Sequence, residues 1–262
     1  MILLFFFSLF AQPDSSALQW KAEKEFQLKS TFITADEMGN LYVVNKDEIT
    51  KYGSKGDSIC TQSFKTMGWI SLLDVTNPLR PMIFYRDLNQ VVVLDNTLSV
   101  QGEPVKLEKL GLQFTKLFCQ SPNNQNLWLY DTDEFRLMRM DKNFQLVRSS
   151  GNITQVTGRD LNPTHMQEWN NFLYLSDPDQ GILVFDMFAT YSKTIPLKNI
   201  RNFQVTNGGI FYLEDNSLLR YDLMSFESMK IPLPLNTVES FRISGKRLYL
   251  QGSSKISVFS LQ

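Results

Sequence analysis

One repeated phrase constrains this chain more than any other feature. Its clearest copy is Leu173-Tyr174-Leu175-Ser176-Asp177, then the polar turn Asp177-Pro178-Asp179-Gln180-Gly181, then Ile182-Leu183-Val184-Phe185-Asp186. Aromatic and branched residues on either side of such a turn read as two paired strands. The leading strand recurs as Leu41-Tyr42-Val43-Val44, Met82-Ile83-Phe84-Tyr85, Leu127-Trp128-Leu129-Tyr130, Ile210-Phe211-Tyr212-Leu213 and Leu248-Tyr249-Leu250. The following strand ends on Tyr52-Gly53, Leu94-Asp95, Met140-Asp141, Phe185-Asp186, Tyr221-Asp222 and Phe259-Ser260. The mean period is about 41 residues, in the range of arrays whose units bury their apolar faces only against one another.

The ends of the array predict how it closes. The last unit holds three strands, around Phe241 to Ile243, Leu248 to Leu250 and Ile256 to Phe259. Ala17 to Ala22 makes a spare strand at the start. Pairing the spare strand onto the incomplete sheet removes the exposed edges an open array would keep. The expected architecture is therefore all-β, a six-bladed β-propeller with about 41 residues per blade, closed by an N-terminal strand that completes the last blade. No linker or charge block divides residues 12–262, so they are expected to form a single domain.

The first unit contains Asp36-Glu37-Met38-Gly39-Asn40-Leu41-Tyr42-Val43. That phrase resembles the repeats of NHL-like and related six-bladed propellers, and the other units match it only in part. The resemblance implies a propeller; the family's roles span scaffolding, ligand binding and, in some members, catalysis, so it does not choose a function.

Ile2 to Phe10 is apolar apart from Ser8 and ends at Ala11-Gln12. Such a run is too short to span a bilayer and reads as a secretory signal, residues 1–11, with no transmembrane segment expected. The short Phe-rich leader resembles those of exported Bacteroidota proteins. A periplasmic or secreted location follows as an expectation. Net charge is -1, which offers nucleic acid no electrostatic attraction. Export would allow disulfides, but Cys60 is expected on an outer strand and Cys119 on an inner one, too far apart to bridge.

His165 is the only histidine, so any Ser-His-Asp or Cys-His chemistry must use it, and a multi-histidine metal site is excluded. It opens the fourth unit's inner strand, where it can face the channel; a catalytic site there would need Glu168 and Asp160 to converge on it. Asp177 and Asp179 have the alternate spacing of a calcium loop, yet they fill a turn where Asp serves for conformational reasons. Asp95, Asp141, Asp186 and Asp222 are read as turn caps accepting backbone N–H bonds. No glycine-rich phosphate loop occurs and no cofactor is expected. Trp20, Trp69, Trp128 and Trp169 invite a glycan site, but packing between blades is the expected role of the last three. Asn152-Ile153-Thr154 and Asp57-Ser58-Ile59 match short glycosylation patterns that arise often by chance.

The expected function is that of a non-catalytic, exported protein-interaction module. One concrete version, implied by the leader and the fold, is an accessory, plug-like subunit of an outer-membrane secretion translocon of the Bacteroidota type. The alternatives are a propeller hydrolase or lyase and a glycan- or small-ligand-binding propeller.

Overall fold

The computed structural model describes residues 20–123 and 126–261. The chain first lays down an isolated strand, β1 (Trp20–Phe26), and then builds sheets in sequence. Blade one comprises β2 (Phe32–Ala35), β3 (Leu41–Asn45), β4 (Glu48–Tyr52) and β5 (Ser58–Ser63). Blade two is β6 (Leu72–Asp74), β7 (Met82–Tyr85), β8 (Gln90–Val93) and β9 (Val105–Lys106). Blade three is β10 (Thr115–Gln120), β11 (Leu127–Asp131), β12 (Arg136–Met140) and β13 (Leu146–Ser149). Blade four is β14 (His165–Trp169), β15 (Phe172–Asp177), β16 (Gly181–Asp186) and β17 (Tyr191–Ile195). Blade five is β18 (Phe203–Thr206), β19 (Gly209–Glu214), β20 (Ser217–Tyr221) and β21 (Ser228–Ile231). Blade six adds β22 (Ser240–Ser244), β23 (Arg247–Gln251) and β24 (Ile256–Leu261), with β1 as its outermost strand. The six four-stranded antiparallel sheets form a six-bladed propeller with inner strands β2, β6, β10, β14, β18 and β22.

Burial follows radial position. Both faces of the middle strands meet neighbouring blades, so β7 is Met-Ile-Phe-Tyr with every residue buried. Outer strands face water, and β5 reads Ser-Ile-Cys-Thr-Gln-Ser with no buried residue. The apolar core is accordingly divided into clusters, one at each junction between adjacent blades. Cys60 and Cys119, on the outer β5 and the inner β10, are both free thiols.

The closing strand ends later than its apolar pattern suggests, at Phe26. Trp20 pairs with Leu261 and Phe26 with Ile256, across a bulge between Ala22 and Lys24. Lys21 to Glu25 are all exposed, because an outermost strand needs no apolar face; its charge also discourages edge-to-edge pairing. Residues 17–19 of the expected strand, and the whole of the expected leader, lie outside the described residues.

Turns between the third and fourth strands share one device. Asp95 Oδ1 accepts the N–H groups of Thr97 and Ser99, and Asp141 Oδ1 those of Asn143 and Gln145. Asp186 does the same for Phe188 and Thr190, and Asp222 for Met224 and Ser225. In the first three turns the residue three beyond the Asp is left-handed, and its side chain is driven into the core: Leu98 is 0% exposed, Phe144 7% and Ala189 3%. Blade five's turn is one residue longer, since Asp222 N bonds Glu227 O where Asp186 N bonds Thr190 O. Its left-handed residue, Phe226, stands 63% exposed.

Candidate functional site

Successive side chains on a strand point to opposite faces, and this decides the fate of the residues on β14. His165, Gln167 and Trp169 alternate with the buried Met166 and Glu168. His165 is half-buried, with its ring edge-on to Phe203 of blade five at 4.8 Å between centroids. Burial, reinforced by the Arg242 guanidinium, pushes its pKa down to about 3 although the Phe203 backbone opposes this, so the imidazole is neutral near pH 7.

Glutamines stitch the inner strands together. Gln167 Nε2 donates to Val205 O at 3.0 Å while its Oε1 accepts Val205 N–H at 2.8 Å. Gln204 makes the same pair of bonds with Ile243 of blade six, at 2.7 and 2.8 Å. Each amide satisfies edge groups that the blade's own ladder cannot reach. Asp74 does related work between blades two and three by accepting Gln120 N–H at 2.7 Å. At the position of Gln167 and Gln204, blade six has Arg242, whose pKa burial lowers to about 10 and which donates to Phe241 O.

Glu168 points away from His165, into the junction of blades three and four. Its Oε2 accepts the Ser121 hydroxyl and the Trp128 indole N–H, and Oε1 lies 3.9 Å from Arg139 Nη2. Arg139 lies over the Trp128 ring at 5.4 Å and donates to Met187 O at 2.8 Å. Burial pushes the neighbouring Cys119 thiol well above its ordinary value, and the carboxylates of Asp74 and Glu168 add to this. Asp160 is an exposed loop residue beyond the short helix α1 (Thr154–Thr157). The hydrogen bonds of Glu168 are therefore all directed away from a site at His165.

Asp177 is buried, and its oxygens accept Asp179 N–H, Gln180 N–H and Asn162 N–H at 3.0, 3.1 and 2.8 Å. Asp179 is exposed. Among the described residues no cluster of three or more His, Cys, Asp or Glu is disposed to hold a metal. Trp128 is core and Trp169 packs against the blade four–five cluster, as expected. Trp69 is not: it precedes β6 between Met67 and Ile70, which pack into the blade one–two cluster, and itself stands 66% exposed with Lys46 Nζ 5.3 Å from its ring. Trp20 donates its indole N–H to Pro232 O. Asn152 Oδ1 accepts Thr154 N–H and Ser58 lies on the exposed edge strand β5.

Sequence reasoning missed the blade-five surface. Phe226, Met224 (88% exposed) and Met229 on β21 lie close in sequence on the outside of that blade, with Lys193 of β17 5.6 Å from the Phe226 ring. The one-residue lengthening between Asp222 and Glu227 was the available signal. Among the described residues no helix is long and apolar enough to cross a membrane.

No protein-family model matches the chain, and no curated protein matches it by sequence. Solved structures do. A catalytically inactive virginiamycin B lyase from Staphylococcus aureus with quinupristin superposes at TM-score 0.60 and 13% identity, over 88% of this chain and 80% of that one. The Pan2 WD40 domain of Neurospora crassa gives 0.59 and 11% over 92% and 95%, and a chain of a mitotic checkpoint complex gives 0.61 and 11% over 99% of each. At such identities the likeness is one of fold, and its members include both a lyase and chains that work within protein complexes.

Proposed function

We propose that this chain is an exported, non-catalytic propeller whose task is to bind another protein, in the periplasm, as an accessory, plug-like subunit of an outer-membrane secretion translocon. The NHL-like kinship of its first blade and the Bacteroidota-like leader belong to the same reading. The observation that carries it is the lengthened blade-five turn. Three sister turns bury their left-handed residue, whereas this one displays Phe226 beside Met224 and Met229. Exposed aromatic and methionine side chains of this kind mark docking surfaces, because water gains when they are covered. The hydrogen bonding of Glu168 and the burial of His165 against Phe203 favour binding over hydrolysis or elimination.

The test is affinity isolation of a tagged, chromosomally expressed copy from mild-detergent envelope extract, alongside Phe226→Asp with an unchanged thermal midpoint. A stoichiometric envelope partner lost from the variant supports the reading. A clean monomer, or a partner held equally by the variant, refutes it. A second reading, glycan binding, is favoured by the exposed Trp69 alone; a glycan array probed with wild type and Trp69→Ala separates the two.

A further inference from the structure

The seam where the ring closes holds a cleft of about 320 Å³, within the size range of small-ligand sites. Its rim comes from three elements: Lys24 on β1, Lys55 in the β4–β5 turn of blade one, and Arg247 on β23 of blade six. Lys24 donates to Gly56 O at 2.6 Å, which leaves ammonium protons free for another acceptor. Lys55 is exposed and makes no ion pair among the described residues. Glu23, the one carboxylate in the lining, already accepts Arg247 Nε at 2.8 Å. Arg247 and Glu23 thus answer each other, which leaves Lys24 and Lys55 as the cations of the lining without a carboxylate partner among the described residues. Leu41 and Val258 line the cleft together with the Phe26 and Tyr249 rings, and the Tyr249 hydroxyl is turned aside to donate to Gly39 O at 2.9 Å.

We propose that this cleft binds a small anion with a flat apolar body, an aromatic carboxylate or phosphate ester, and that the bound anion ties the closing strand to blade one. The cations set the charge of the ligand and the lining sets its shape. An occupant reaching Lys24, Lys55 and Arg247 together bridges β1, blade one and blade six, and so adds to the Lys24–Gly56 bond, the Tyr249–Gly39 bond and the Phe26–Tyr52 ring pair at 4.7 Å that already cross the seam. Binding is independent of the blade-five surface and of any partner there.

The experiment titrates the full chain with phenyl phosphate and, separately, with inorganic phosphate. It follows the thermal midpoint together with amide hydrogen exchange in β1 and β24. For a ligand of this size the expected Kd is about 1 mM, and inorganic phosphate should bind at least about tenfold more weakly. Exchange in the β1–β24 pair should slow as the site fills. Lys55→Gln, an exposed change, should weaken phenyl phosphate by about fivefold, and Ser54→Trp, which places a large ring at the mouth, should abolish it without lowering the ligand-free midpoint. The proposal is overturned by any of three results: no saturable response to about 10 mM, equal affinity for the two probes, or undiminished binding by both variants (an adventitious ion only).

Discussion

Replacing Glu168 by Leu tests the buried network between blades three and four. The substitution removes the acceptor of the Ser121 hydroxyl and the Trp128 indole N–H. It also strands Arg139, 3% exposed, with only Met187 O and the Trp128 ring as company. Breaking a buried pair by removing one partner costs about 3–5 kcal/mol, because the survivor stays desolvated. For a chain of this size that lowers the thermal midpoint by about 6–20 °C. The double variant Glu168→Leu with Arg139→Met removes both charges and should recover most of the loss, to within about 2 kcal/mol of wild type. Urea unfolding followed by tryptophan fluorescence is the assay, with Trp128 at the site one of the chain's four tryptophans. An unchanged Glu168→Leu variant, or a double variant no more stable than the single one, would refute the claim that desolvated charge is what holds this junction in balance.

Further outcomes follow from other sites. His165 ordinarily titrates at 6.5 and here at about 3. The unfolded chain therefore takes up its proton first, and stability present above pH 6.5 is lost as the pH falls toward 3, by at most about 1.4 kcal/mol per unit. His165→Gln should flatten that limb when urea midpoints are compared at pH 7, 5 and 4. Gly181 has φ +109°, and a Cβ there would overlap Ile195 O. Gly181→Ala should cost about 2 kcal/mol or more, whereas Gly102→Ala, at φ +73° with open space around it, should cost no more than about 1 in the same denaturation assay. In native alkylation followed by mass spectrometry, Cys60 should label slowly and Cys119 only after unfolding, since burial raises both thiols and Cys119 the more strongly.

Much of this was legible residue by residue. The leading phrases at Leu41, Met82, Leu127, Leu173, Ile210 and Leu248 all lie within the second strands of their blades, because those strands are covered on both faces and keep an unbroken apolar run. The Asp caps were legible for the same kind of reason, local chemistry acting over four or five residues. Where tertiary context outweighed local pattern the reading failed. Trp69 looked like core and is exposed, and the closing strand runs on to Phe26 through charged residues that carry no strand-like alternation.

The candidate site divides along the same line. Composition alone limited the chain to one histidine, and spacing alone placed it at the head of an inner strand. Only the packed ring decided that Gln167 and Gln204 bind backbone across blades, that Glu168 meets Arg139 rather than His165, and that Lys24, Lys55 and Arg247 border one cleft. Repeats and turn caps depend on neighbours in sequence, so the amino-acid order determines them. Contacts between Glu23 and Arg247, or Lys24 and Gly56, join residues from opposite ends of the chain or different blades, and they exist only once the ring has closed.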